Sequence, residues 1–261
     1  MAEIPNSHPR KKSLESRQKI VDGSSMGLLA ESAMIAHGRG EAFDYMLGER
    51  TTNPARQAIR ESAARLRNAR RPVISVNGNT VVLAGEGAIR LAAVLGCPIE
   101  VNLYYRTPSR VKGLISLLKE WRLEVAEEDA PDGFNGDWRD SVEGVSILGG
   151  SPDFEIEGLE GPRSKCTREG IGMADTILVP LEDGDRCEAL ISLGREVLVV
   201  DLNPLSRSSR MATVTIVDEV SRAFDGILSY LLNDCEYRPT KWDNRRSLKE
   251  SVKEIGDYFS E

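Results

Sequence analysis

The stretch EVLVVDLNPLSRSSRMATVTIV, residues 196–217, sets two apolar runs on either side of a polar loop. EVLVV (196–200) reads as a buried strand and TVTIV (213–217) as another, because short continuous runs of Val, Leu and Ile suit strands covered on both faces. Between them stand Asp201, Asn203, Arg207, Ser208 and Arg210. A loop so dense in donors is either a solvent-facing turn or a seat for an anion. Its arginines and serines suit phosphates, and the Asp–Asn pair suits ribose hydroxyls or a base edge.

Outward from this point, strands and helices alternate. Upstream, TNPARQAIRESAARLRNA predicts a helix beginning at Asn53 with Pro54 in its first turn and Ile59, Ala63 and Leu66 on one face. PVISVNGN is a strand ending in a turn signal, GEGAIRLAAVLG a helix closed by Gly96, and CPIEVNLYY a strand. TPSRVKGLISLLKEWRLEV opens like the first helix and carries an apolar stripe of Val111, Leu114, Ile115, Leu118 and Trp121. Strand TILVP and helix RCEALISLG follow, and downstream EVSRAFDGILSYLL is a helix with Asp218 as its expected cap.

This alternation predicts an α/β fold, a Rossmann-like and mostly parallel sheet flanked by helices. TVTIV follows its neighbour so closely that it is expected to pair differently or lie at an edge. Residues 1–50 read as an N-terminal helical segment outside the sheet. Residues 127–144, EEDAPDGFNGDWRDSVEG, read as an acidic, aperiodic surface insertion. The expectation is one α/β domain over residues 1–261.

Composition narrows the function classes. The chain has 261 residues, 40% hydrophobic and 29% charged, with a net charge of −7, which argues against a general nucleic-acid or anionic-membrane binder. Four cysteines, none in a CxxC, and only His8 and His37 leave no zinc-site spacing, so reduced thiols in a cytoplasmic protein are expected. No apolar run approaches the ~20 residues of a membrane span, and the N-terminus has no signal-peptide core.

In open parallel sheets ligands gather beyond the carboxyl ends of the strands. The segments there are NGN (77–79), YYR (104–106), LEDGDR (181–186) and DLNPLSRSSR (201–210). NGN with Asn79 is a simple turn or a ligand contact, and Arg106 is a snorkelling strand-end residue or a substrate contact. Glu182, Asp183 and Asp185 either serve Mg²⁺ or a substrate ammonium or simply complement a helix dipole; Arg186 beside them is unfavourable in the second reading. HGRGEAFDYMLGE (37–49) is a break between helices or an anion cradle with Arg39 as clamp, and His37 is a base or a structural residue. It is no dinucleotide fingerprint, since a third glycine and a preceding strand are missing. GxxxxGK[ST] is absent, which disfavours a P-loop nucleotidase.

Six motifs in order carry a family resemblance: SHPR (7–10), AHGRGEAFDYMLGE (36–49), PVISVNGN (72–79), EVNLYYRT (100–107), VPLEDGDR with EAL (179–190), and VDLNPLSRS with RMA and TIVD (200–218). From about residue 4 to residue 232 the chain resembles the archaeal phosphopantothenate synthetases, the 4-phosphopantoate–β-alanine ligases of coenzyme A synthesis. It departs from them in the charged KKSLES after HPR, in the 127–144 segment and in the C-terminal tail.

The resemblance implies a ligase that joins 4-phosphopantoate to β-alanine through an acyl-adenylate, splitting ATP to AMP and diphosphate, in a cytoplasmic homodimer. It implies ATP contacts at Arg17, Arg39, Asp201, Leu202, Asn203, Arg207, Ser208, Glu219 and Val220. Strand-end placement adds His37, Glu182, Asp183 and Asp185 as catalytic candidates, and Asn79, Arg106 and Arg186 as substrate contacts, around phosphopantoate, Mg²⁺ or β-alanine. Two rivals remain in other classes, a non-catalytic nucleotide-binding sensor and a nicotinamide-dependent oxidoreductase.

Overall fold

A computed structural model describes residues 4–181 and 183–257. Two helices, α1 (Lys11–Ser25) and α2 (Ser32–Met46), precede α3 (Asn53–Asn68) and strand β1 (Pro72–Val76). Then come α4 (Gly78–Leu95), β2 (Ile99–Val101), α5 (Pro108–Ala126), α6 (Trp138–Glu143) and β3 (Ile147–Leu148). A hairpin, β4 (Phe154–Glu155) and β5 (Lys165–Cys166), leads to β6 (Thr176–Pro180), α7 (Gly184–Ser192), β7 (Glu196–Val200), α8 (Arg207–Met211) and β8 (Val214–Ile216). Helices α9 (Val220–Asn233) and α10 (Asn244–Asp257) complete the order.

The main sheet has six strands in the order β3-β2-β1-β6-β7-β8, and every neighbouring pair is parallel. Without the hairpin this is the doubly wound order, and its reversal lies between β1 and β6. Alternate side chains separate onto the two faces, as strand geometry requires. Ile74, Leu178, Leu198 and Ile216 pack against Leu114, Phe224 and Ile227 on one face. Val73, Ile177, Val197 and Val199 meet Ile156, Ile171 and Leu190 on the other. The TVTIV strand lies at the sheet edge, and its close predecessor is nonetheless a parallel neighbour, because the crossover is the five-residue α8.

Local chemistry sets the helix ends. Thr52 and Thr107 cap α3 and α5 by accepting from the N–H of Ala55 and Arg110, each with a proline in the first turn. Gly96 ends α4 in the left-handed region at φ 60°, where a side chain would be strained.

Several expectations are corrected. NGN is the start of α4, capped by Asn77, which accepts from the Thr80 N–H; Asn and Gly suit a helix start as well as a turn. The helix breaks at Ala84 (φ −143°, ψ 27°). There Trp121 packs so closely on Gly85 that a Cβ would lie 2.0 Å from its ring. α4 is also long and apolar enough to cross a membrane by composition, yet 67% of it is buried within the fold. The 127–144 segment is not merely surface, for it carries α6, whose Trp138 and Val142, one helical turn apart, are buried in the core. Asp218 does not cap α9. Glu219 does, accepting from the N–H groups of Ser221 and Arg222.

Candidate active site

The sheet reversal brings the tips of β1 and β6 together. Asn77 Nδ2 donates to the carbonyls of Pro180 (3.2 Å) and Leu181 (2.9 Å). Leu181 is held at φ 55°, a left-handed conformation that costs a leucine about 1–3 kcal/mol. It lines both of the cavities that open at this end of the sheet.

The larger cavity, about 400 Å³, lies between α1, α2 and the starts of α9 and the β7 loop. Lys12, Ser16 and Lys19 face it from successive turns of α1. His37, Leu202, Glu219 and Val220 line it, so four of the residues singled out in the sequence converge here. Its floor is Arg222, gripped by Asp44 (2.5 Å) and Asp218 (2.7 Å), both buried. Burial pulls the Arg222 pKa down, but the hydrogen bond to Asp44 and the charge of Asp218 outweigh it and raise it overall. Burial raises the Asp44 pKa in spite of Arg222.

On the wall, Arg10 pairs with Glu41 (3.0 Å) and Glu49 (2.8 Å), and Arg17 reaches Glu41 at 2.5 Å. Burial pushes the Glu41 carboxyl up, but hydrogen bonds from Arg17, Ser13 and Arg10 bring it below its ordinary value. His37 is half-buried, and its Nε2 is shielded without a hydrogen-bond partner. Burial lowers its pKa against the pull of Glu41 and Glu219, which keeps the imidazole neutral near pH 7.

The smaller cavity, about 210 Å³, sits at the α4 N-terminus and shares Ala36 and Leu181 with the larger one. Asn79, Arg110, Tyr104 and Tyr105 line it. Asn79 is buried and donates to the Ala33 carbonyl at 3.1 Å. Arg163 stacks 5.0 Å from the centre of the Tyr104 ring.

The remaining candidates lie outside both linings. Arg17 acts on the larger cavity through Glu41, and Arg39 is exposed on α2. Asp201 and Asn203 organise their own loop: Asp201 accepts from the Asn203 N–H (2.9 Å) and Ser206 Oγ (2.5 Å), and burial raises its pKa. Ser208 is buried in α8. Arg207 is exposed and pairs with Asp185 and Glu188. Arg163 links Asp183 (3.0 Å) and Asp185 (2.9 Å), and Asp183 caps α7. Hydrogen bonding from Arg163 holds the Asp185 carboxyl below its ordinary range. Arg106 donates to the Gly149 carbonyl.

Arg186 is turned into the core, where its Nη2 donates to Ser75 Oγ at 3.2 Å, which explains a cation at a helix start. Glu182 lies outside the described residues. Among the described residues no three His, Cys, Asp or Glu side chains are grouped to hold a metal. Burial pushes the Cys97 and Cys166 thiols up to about 12, so neither is a nucleophile at neutral pH.

Sequence reasoning missed Arg10, Asp44 and Arg222, and the α1 stripe. The stripe had a readable signal, Lys12, Ser16 and Lys19 at helical spacing within KKSLESRQK. Arg222 had none, because its partner Asp44 is 178 positions away.

The fold and these paired cavities define a doubly wound α/β protein with two cavities at the reversal of its strand order, where open parallel sheets bind ligands. The chain belongs to the phosphopantothenate/pantothenate synthetase family, whose profile matches residues 54–258. It is 41% identical to a 4-phosphopantoate–β-alanine ligase of Thermococcus onnurineus, over 98% of this chain and 94% of that protein. Ligases of the same name from Thermococcus kodakarensis (43%, over 99% and 88%) and Methanosarcina mazei (40%, over 99% and 96%) are similar along nearly the whole chain.

Proposed function

We propose that the chain is an ATP-dependent 4-phosphopantoate–β-alanine ligase of coenzyme A synthesis. The observation that carries this reading is the pair of cavities that meet at Leu181 and Ala36, because the reaction needs two phosphorylated substrates side by side. ATP takes the larger cavity. Leu202 and Val220 offer an apolar seat for the base, and the Glu219 carboxylate suits the ribose hydroxyls. Arg10 and Arg17 exchange glutamate partners for phosphate oxygens, with Arg39, Arg207 and Ser208 completing the triphosphate contacts.

The phosphorylated acid takes the smaller cavity. The α4 N-terminus favours its negative charge there, and Asn79 and Arg110 supply donors. Its carboxylate oxygen attacks the α-phosphorus, forming the acyl-adenylate as the bond to diphosphate breaks. The β-alanine nitrogen then bonds to the acyl carbon, and AMP leaves with the electron pair of the C–O bond. Two protons leave that nitrogen, one before attack and one as the tetrahedral adduct collapses. Neutral His37, facing the larger cavity, is the residue to receive one of them.

The chain's remaining work is to hold two polyanions together against their repulsion. Mg²⁺ would come with the nucleotide and would offset the charge of its phosphates, since no group of three acids or histidines among the described residues is placed to hold it. The reading brings a homodimer with it, which the mass of the protein in solution tests. AMP formation that requires both 4-phosphopantoate and β-alanine tests the reaction, and AMP release independent of either acid or amine would overturn it.

A further inference from the structure

A third cavity opens off the ATP cavity at the break in α4. It measures about 220 Å³ and shares Lys19, Leu83, Ser221 and Asp225 with its larger neighbour. Its chemistry is mixed. Arg90 and Lys19 bring positive charge, Asp225 and Glu86 bring negative charge, and Trp121 and Phe224 form an apolar wall between them.

Two acceptors line its boundary with the larger cavity. At the Ala84 break the Leu83 carbonyl lies in the wall between the cavities, accepting from Ser221 Oγ (3.2 Å) and more distantly from Lys19 Nζ (3.5 Å). The Asp225 carboxylate, exposed on the same wall, makes no hydrogen bond or ion pair among the described residues and is open to a ligand. Every other acid in the ATP cavity's floor and wall discussed above is paired or caps a helix. Arg90, at the far side, is held by Glu128 at 2.5 Å and Glu86 at 3.5 Å.

We propose that this cavity is the subsite of the amino-acid substrate, a short zwitterion. Its ammonium end lies at the wall, between the Leu83 carbonyl and the Asp225 carboxylate, and its carboxylate end points to Arg90. A carbonyl and a carboxylate are acceptors only, so they hold an ammonium and reject a second anion. The amine then approaches from the ATP cavity's own wall, the side on which the acyl-adenylate forms. The assignment rests on the ligase reading and adds to it where the second substrate binds.

The half-reaction separates the two ideas. Exchange of labelled diphosphate into ATP needs 4-phosphopantoate but no amine, so it reports adenylation and folding independently of this subsite. Arg90→Gln and Asp225→Asn are expected to raise the KM for β-alanine at least about tenfold more than they alter the exchange rate, with Arg90→Lys recovering part of the loss. A β-alanine KM within about twofold of wild type in both variants overturns the subsite while leaving the ligase reading intact. So does a parallel fall in exchange, which assigns both residues to adenylation or folding. Wild-type protein without phosphopantoate-dependent exchange overturns the ligase reading and the subsite together.

Discussion

Arg222 and Arg207 each grip two carboxylates, and the likeness ends there. Arg222 lies beneath the larger cavity with its side chain 22% exposed, and its partners Asp44 and Asp218 are 7% and 0% exposed. Arg207 stands in water at 53%, facing Asp185 and Glu188 at 46% and 47%. A buried pair resists loss of either member, because the survivor is left charged without water. An exposed pair is screened, and its partners can be traded for a ligand's phosphates at little cost. The first arrangement fixes helix packing, and the second leaves its guanidinium at the surface.

The most severe test of this contrast is Arg222→Ala. It strands two carboxylates in the cavity floor and unties α2 from α9, so a loss of about 3–5 kcal/mol in urea-induced unfolding is expected. A loss below about 1 kcal/mol would place Arg222 with the surface pairs and erase the distinction.

Asp44→Asn sharpens the same point through pH. Burial raises the Asp44 carboxyl above its unfolded value of ~3.9, so the folded protein holds that proton more tightly than the unfolded chain. The group's contribution is therefore full below the unfolded value and declines as pH rises through the folded one. The stability gap between wild type and Asp44→Asn should be widest at low pH and narrow as pH increases from about 4. A gap that widens instead would mean that Arg222 dominates the carboxyl.

Arg207→Ala is the opposite case. The denaturation midpoint should not move measurably, while the KM for ATP rises by about tenfold or more. A shifted midpoint with unchanged ATP kinetics would reverse the assignment of the two arginines.

The contrast also explains what was legible in the sequence. Strands β6, β7 and β8 were readable because buried parallel strands are local runs of Val, Leu and Ile. Arg207 was conspicuous for the same local reason, two arginines and three serines crowded between two such runs. Arg222 was invisible, since Val220, Ala223, Phe224 and Ile227 around it read as a core helix and its partners come from elsewhere in the chain. The start of α4 was misread because Asn77 and Gly78 suit a turn as well as a cap, and only the tie from Asn77 to β6 decides between them. Helices α6 and α10 hid in charged sequence whose few buried residues, Trp138, Val142 and Leu248, are too sparse to show a period.

The smallest expected effect concerns His37, which stands between the two regimes, half-buried yet facing the cavity. Burial lowers its pKa from the ordinary ~6.5, so the unfolded chain takes up a proton that the folded protein refuses. Its contribution to stability is full above the unfolded value and is lost as pH falls toward the folded one. The chain has only two histidines, so His37→Gln assigns the imidazole signals of an NMR titration directly. A His37 midpoint below ~6.5 is expected, and a slower β-alanine-dependent step in the variant should leave diphosphate exchange unchanged. A midpoint above that value would show that Glu41 and Glu219 outweigh burial, leaving a cation near neutrality that can bind phosphate but cannot accept the proton from the amine.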